Sequence, residues 1–153
     1  MASAHARDLQ NILDSGLPTL LAISESDSDE RPARDGAWSR KEELGHLIDS
    51  ASNNHLRIVR AALESEFRGP GYQQAESVAL HGYHSLPWSW LVDFWHRYNT
   101  LLVQLVSRVP EERMYASCII GTHPPMRLDV LIDEYVVHMR HHLDHIFRRD
   151  GAR

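Results

Sequence analysis

LDVLIDEYVVHMRHHLDHIFRR, residues 128–149, decides the architecture. Leu128, Leu131, Ile132, Tyr135, Met139, Leu143 and Ile146 recur at intervals of three and four, which predicts one amphipathic helix with a single buried face. The stretch closes on Arg148 and Arg149 with Gly151 just beyond, basic residues in the last turn and then a helix-ending glycine. Four histidines lie between residues 138 and 145. A purification tag would sit at a terminus without apolar spacing, and a solvated face would more simply use Lys and Glu. At about 100° per residue His142 falls inside the apolar arc and His138 at its edge beside Leu131. His141 and His145 fall further round, towards solvent, with Glu134. Both pairs have the i, i+4 spacing by which two imidazoles grip one ion, but only His138 and His142 combine it with an inward direction.

Working outward, three more helical stretches appear. The first covers about residues 4–24, with Leu9, Ile12, Leu13, Leu17, Leu20 and Leu21 in register and Pro18 as a point where it kinks or splits. The acidic, Pro/Gly-containing SESDSDERPARDG follows as a loop. A second helix starts at WSRKEELGHL, with Ser39 as N-cap, Glu42 completing a capping box, and Trp38 as the hydrophobic staple, and extends to about Ser65. FRGPGYQQAESVALHGYHSLP is long for a loop and is expected to hold a short helix or to cover a site. A third helix, about residues 87–109, has Pro87 in its first turn and Leu91, Trp95, Tyr98, Leu102, Leu105 and Val109 as its stripe. Strand signals are nearly absent. The expected fold is therefore all-α, a four-helix bundle with long connections, forming one domain over residues 1–153.

The net charge is -5, and no basic stripe with interleaved aromatics is present, which argues against a nucleic-acid surface. No apolar run approaches the ~20 residues of a membrane span, and MASAHARDLQ lacks the pattern of a signal peptide. The single cysteine, Cys118, rules out an internal disulfide framework and fits a reducing, cytoplasmic setting. The anomaly is histidine, with 11 in 153 residues.

Two imidazoles hold a metal weakly, and a catalytic site wants about three protein ligands with an open position. Remaining candidates are His46 and His55 on the second helix and His81, His84, His96 and His123 elsewhere. The apolar arc of the second helix (Leu44, Leu47, Ile48, Ala51, Ile58, Val59, Ala62) contains His55. His46 lies in a polar stripe with Ser50, Asn53 and Arg57. Periodicity favours His55, but a polar stripe also lines functional clefts, so both readings stand at this level.

GAWSRKEELGHLIDS and IDEYVVHMRHHLDHI resemble the second and last helices of DinB-like proteins, with their Trp-(Ser/Thr)-x-(Lys/Arg)-(Glu/Gln)-x-x-x-His-x-x-Asp and Tyr-x-x-His-x-x-x-His-x-x-x-Ile patterns. The regions GYHSLPWSWLVDFWHRYNTLLVQLVSRVPEE and IGTHPPMRLDVLIDEYV fall where that family has its third helix and the loop before the fourth. The resemblance covers about residues 34–148. It implies an up-down-down-up bundle, often a homodimer, that binds one divalent metal, frequently zinc or nickel, through three histidines. Carried onto this chain they are His46, His138 and His142, so the resemblance selects His46 over His55. One departure is PMRLDV before the last helix, where the family often has a Ser or Thr cap and this chain has Arg127.

Three neutral ligands leave the full +2 charge on the ion, which acidifies a bound water or thiol. The expected function is accordingly a metal-dependent enzyme acting on a small molecule, either a hydrolase or a transferase using a low-molecular-weight thiol. The alternative is a non-enzymatic metal-holding module or a dimeric, stress-related interaction module. Asp49, Asn53 and Arg57 share the stripe of His46 and are candidate orienting or substrate-anchoring groups, Arg57 for an anion. Their plain alternative is surface or inter-helix pairing.

Overall fold

The computed structural model describes residues 2–148. In chain order the elements are α1 (Ala2–Ala22), α2 (Glu25–Asp29), α3 (Arg40–Leu63), β1 (Glu66–Gly69), α4 (Gln74–His81), α5 (Trp88–Ser107), β2 (Ser117–Ile120), β3 (Met126–Arg127) and α6 (Leu128–Phe147), with 3-10 turns at Tyr83–Ser85 and Glu111–Tyr115. Helices α1, α3, α5 and α6 form the expected bundle. Pro18 lies inside α1 without splitting it. Arg149 and Gly151, expected to end the last helix, lie outside the described residues.

Each of α1 and α3 packs against both α5 and α6. The side-chain pairs give the directions. Trp88 Nε1 donates to Leu20 O, and Ala2 N donates to Glu111, so α1 and α5 run oppositely. His5 meets Asp133 and Gly16 faces Leu143, so α1 and α6 run together. Arg40 reaches Ile146 O and Ser50 reaches His138, so α3 and α6 are antiparallel. Gly45 lies under Tyr83, just before α5, while Arg113, just after it, donates to the carbonyls of Ala61 and Ala62. Helices α3 and α5 are therefore parallel, and the topology is up-down-down-up. Parallel neighbours cannot be joined by a tight turn, which is why residues 64–87 form a long crossover carrying β1 and α4.

Four local expectations change. The acidic segment read as a loop contains α2, Glu25–Asp29, with Ser24 as its N-cap. Strands are present: β1 pairs in parallel with β2, and β2 pairs antiparallel with β3. They are too short for a periodic signal, and their apolar residues Phe67, Cys118 and Ile120 join Ile58, Leu128 and Ile132 in closing one end of the bundle. Pro87 is the N-cap of α5 rather than a residue of its first turn. The capping box of Ser39 and Glu42 forms in full, but the residue that would complete a staple is Glu43, and Trp38 instead tilts over the ring of His46 at 5.1 Å. At the start of α6, Arg127 makes no side-chain cap; Asp129 Oδ1 accepts from Val130 N at 2.8 Å and brings negative charge to the helix N-terminus.

The apolar arc foreseen for α6 is buried throughout, from Leu128 to Ile146. Trp95 of α5 is fully buried among Leu13, Leu91 and Leu143 in the same core. Cys118 is buried as well, and burial pushes its thiol up to about 11. No helix among the described residues is long and apolar enough to cross a membrane.

The crossover packs on α3 at Gly45, where an added Cβ would stand 2.1 Å from the Tyr83 ring. Gly45→Ala should cost about 1–3 kcal/mol through overpacking. Ser39→Ala should cost about 1 kcal/mol through the lost cap. Chemical denaturation of both variants checks this; an unchanged midpoint for Gly45→Ala would mean that Tyr83 is not packed on α3.

Candidate metal centre

The capping box starts α3 at Arg40 and so fixes His46 about two turns into the helix, on the face turned to α6. On α6, burial of Tyr135, Met139, Leu143 and Ile146 fixes the rotation that aims His138 and His142 at α3. His46 is fully buried, and His138 and His142 are partly so. His46 Nε2 and His138 Nε2 face each other at 2.9 Å. Two imidazole lone pairs repel at that distance unless a proton or a cation lies between them. The three ring centroids are 4.5–4.9 Å apart, and one nitrogen of each ring lies within 4.8 Å of the others. Zinc–nitrogen bonds of about 2.0–2.1 Å put two ligands of one ion no more than about 4.2 Å apart, a limit that His46 and His138 already meet.

The far nitrogens set which lone pairs face inward. His142 Nδ1 donates to Glu43 Oε1 at 2.6 Å, and His145 Nδ1 donates to the same oxygen at 3.2 Å. His138 Nδ1 lies 3.4 Å from Ser50 Oγ, and Ser50 is held from behind by Asn54. A proton fixed on Nδ1 leaves Nε2 free to ligate, as carboxylate–histidine pairs do in metal sites. His46 Nδ1 is buried and has no hydrogen-bond partner among the described residues. Burial holds the His46 imidazolium down at about 3, with repulsion from His142 and His138 in the same direction and Glu43 opposing. Burial also holds His138 at about 4, helped by His142 and His141. The donor set, three converging imidazoles with the Glu43 carboxylate behind His142, fits a divalent transition metal.

The structure places His46, not His55, with the α6 pair. His55 turns to α5, where its Nδ1 lies 3.2 Å from the Tyr98 hydroxyl. Asp49 faces away from the three histidines: it accepts from Tyr83 Oη at 2.6 Å and Ser77 Oγ at 2.9 Å, tying the crossover to α3. Asn53 Nδ2 donates to Asp49 O, within α3. Arg57 lies in the wall of a cleft of about 670 Å³ that opens on His138 and is also lined by Tyr72, His123 and Glu134. A second cleft, about 540 Å³, opens on His142 and His145 beside Trp38. Glu43 was missed by sequence reasoning. Its signal was present, three residues before His46 and therefore on a neighbouring face, but a lone acid in the first turn of a helix reads first as a partner of the helix dipole.

A histidine held neutral in the folded protein takes up a proton more readily when unfolded. Between about pH 6.5 and the folded values of His46 and His138, the unfolded chain binds more protons, so stability falls as pH falls through that window. Chelator-treated protein should melt at a lower temperature at pH 5 than at pH 7.5. The drop should be smaller in a His46→Gln/His138→Gln double variant. Equal drops would mean that these two imidazoles are not the source.

No family model matches the sequence, and no curated protein matches it. Solved structures do match in fold. One is described as "YfiT from Bacillus subtilis is a probable metal-dependent hydrolase with an unusual four-helix bundle topology"; it is 19% identical, with a TM-score of 0.83, over 99% of this chain and 89% of that one. Another is a mycothiol-dependent maleylpyruvate isomerase, 11% identical with a TM-score of 0.75; the match takes in 94% of this chain but only 59% of the isomerase. A histidine-to-alanine mutant of that isomerase matches at 12% identity and a TM-score of 0.76. At these identities the likeness is one of fold. In fold the chain is similar to YfiT along nearly its whole length, as the DinB-like resemblance implied.

Proposed function

We propose that this chain is a metal-dependent enzyme acting on a small molecule, with one divalent ion, zinc or nickel, held by His46, His138 and His142. The observation that carries the reading is the convergence of three imidazoles, one of which, His138, lines a cleft. When bound, the ion supplies a Lewis acid that acidifies water or a thiol. That chemistry serves either hydrolysis or transfer of a low-molecular-weight thiol, and the similar structures carry one description of each kind, a metal-dependent hydrolase and a mycothiol-dependent isomerase.

The chain's own residues have separable roles in this reading. Glu43 holds the proton on His142 Nδ1 and so orients that ring. Ser50 does the same for His138, and Trp38 covers His46. Asp49 and Asn53 are assigned to fixing the crossover over α3 rather than to the reaction. The open cleft beside His138 favours a catalytic over a purely structural ion, since structural sites are closed by a fourth protein ligand. The reading also includes a cytoplasmic homodimer, supported by the buried free cysteine and by the exposed Trp90, Phe94 and Leu101 of α5.

Elemental analysis of untagged protein tests the site. About one ion per chain is expected, lost in His46→Ala, His138→Ala and His142→Ala and retained in His55→Ala. Glu43→Gln should keep the ion but bind it about 10–100-fold more weakly. No metal after incubation with zinc or nickel, or loss in His55→Ala alone, would overturn the assignment.

A further inference from the structure

The cleft beside His138 carries a guanidinium, Arg57, with no ion-pair partner among the described residues. Arg57 is partly buried, and desolvation pulls its guanidinium below the usual arginine range. Its hydrogen bond is a long one, Nη2 to Pro70 O at 3.4 Å, and it forms no salt bridge among the described residues. Several other cations are paired with carboxylates: Lys41 with Glu25 and Asp29, Arg60 with Glu64, and Arg97 with Asp93. A guanidinium offers five donors in a planar fork, and leaving it half-buried without an anion is costly. Glu134 also lines the cleft but stands exposed at its rim and does not pair with Arg57.

Apart from Arg57, Glu134 and the imidazoles of His123 and His138, the lining is apolar or uncharged. Ile120, Met126, Leu131 and Pro125 supply hydrocarbon surface. Tyr72 and Ser50 both line the cleft, and burial keeps the Tyr72 phenol protonated. Ser50 touches His138. Along α3, Arg57 stands two turns, about 10 Å, from Ser50. The volume of about 670 Å³ is in the range of small-molecule sites.

We propose that this cleft binds an organic anion, a carboxylate or phosphonate/phosphate ester, with its charged end on Arg57, its apolar body on Ile120 and Leu131, and its other end at His138. As the substrate site it rests on the metal-dependent reading above. As an anion site it stands on Arg57 and the cleft.

The test uses 4-phenylbutanoate, its uncharged amide, and a phenylalkylphosphonate of the same length. Binding is measured by calorimetry to zinc-loaded and to chelator-treated protein, with zinc content measured in parallel. Either anion should bind at least tenfold more tightly than the amide in both forms. Arg57→Gln should lose at least tenfold in anion affinity with zinc content unchanged, and Arg57→Lys should recover part of it. The tighter of the two anions tells carboxylate from phosphonate. Amide binding equal to the anions, no anion binding, or wild-type anion affinity in Arg57→Gln would each overturn the proposal. Loss of zinc binding with Arg57-dependent anion binding intact would instead overturn the metal reading alone. Unchanged zinc content in Arg57→Gln also shows that the variant has folded.

Discussion

The antiparallel contact between α3 and α6 is the constraint on which the rest of the structure depends. It is a ladder of polar rungs inside an otherwise apolar bundle: Arg40 to Ile146 O, Glu43 to His142, His46 to His138, and Ser50 to His138. Buried polar groups must meet partners, so a slip of one turn between these helices would strand several at once. The capping box at Ser39 serves the same register from the other side, since it sets the residue at which α3 begins.

That contact has consequences for the chain path. With α3 antiparallel to α6 and parallel to α5, the link between α3 and α5 must travel the length of the bundle. The crossover lays α4 and Tyr83 along α3 and adds β1 to the small sheet at one end. Asp49 anchors it through Tyr83 and Ser77. The segment around Tyr72 and the β2–β3 turn then wall the cleft in which Arg57 and His138 both sit. The cleft is thus a product of the topology, not of any one loop.

Helix α3 consequently has three working faces. Leu44, Leu47, Ile48 and Ala51 fill the core. Glu43, His46 and Ser50 meet α6. Asp49 and Asn53 meet or support the crossover. This division separates residues that lie close together in the sequence: Asp49 is three residues from His46, yet it belongs to a different neighbour.

The sequence by itself determined the four long helices, the capping box, the buried face of α6 and the His138–His142 pair. Those features follow from local propensity and from the period of a helix that buries one continuous face. It did not determine the third member of the histidine cluster by periodicity. His46 falls off the apolar arc of α3, and a pattern that assumes one neighbour reads such a stripe as solvated. Only the tertiary structure decided that α3 is buried on two sides, with His55 turned to Tyr98 and His46 turned to His138. It likewise decided the role of Glu43, whose partner is 99 residues away, and the pairing of β1 with β2, which joins segments about 50 residues apart. The physical reason is the same in each case. Spacing along one helix records which side chains share a face, whereas the chemistry of that face depends on what the rest of the chain brings against it.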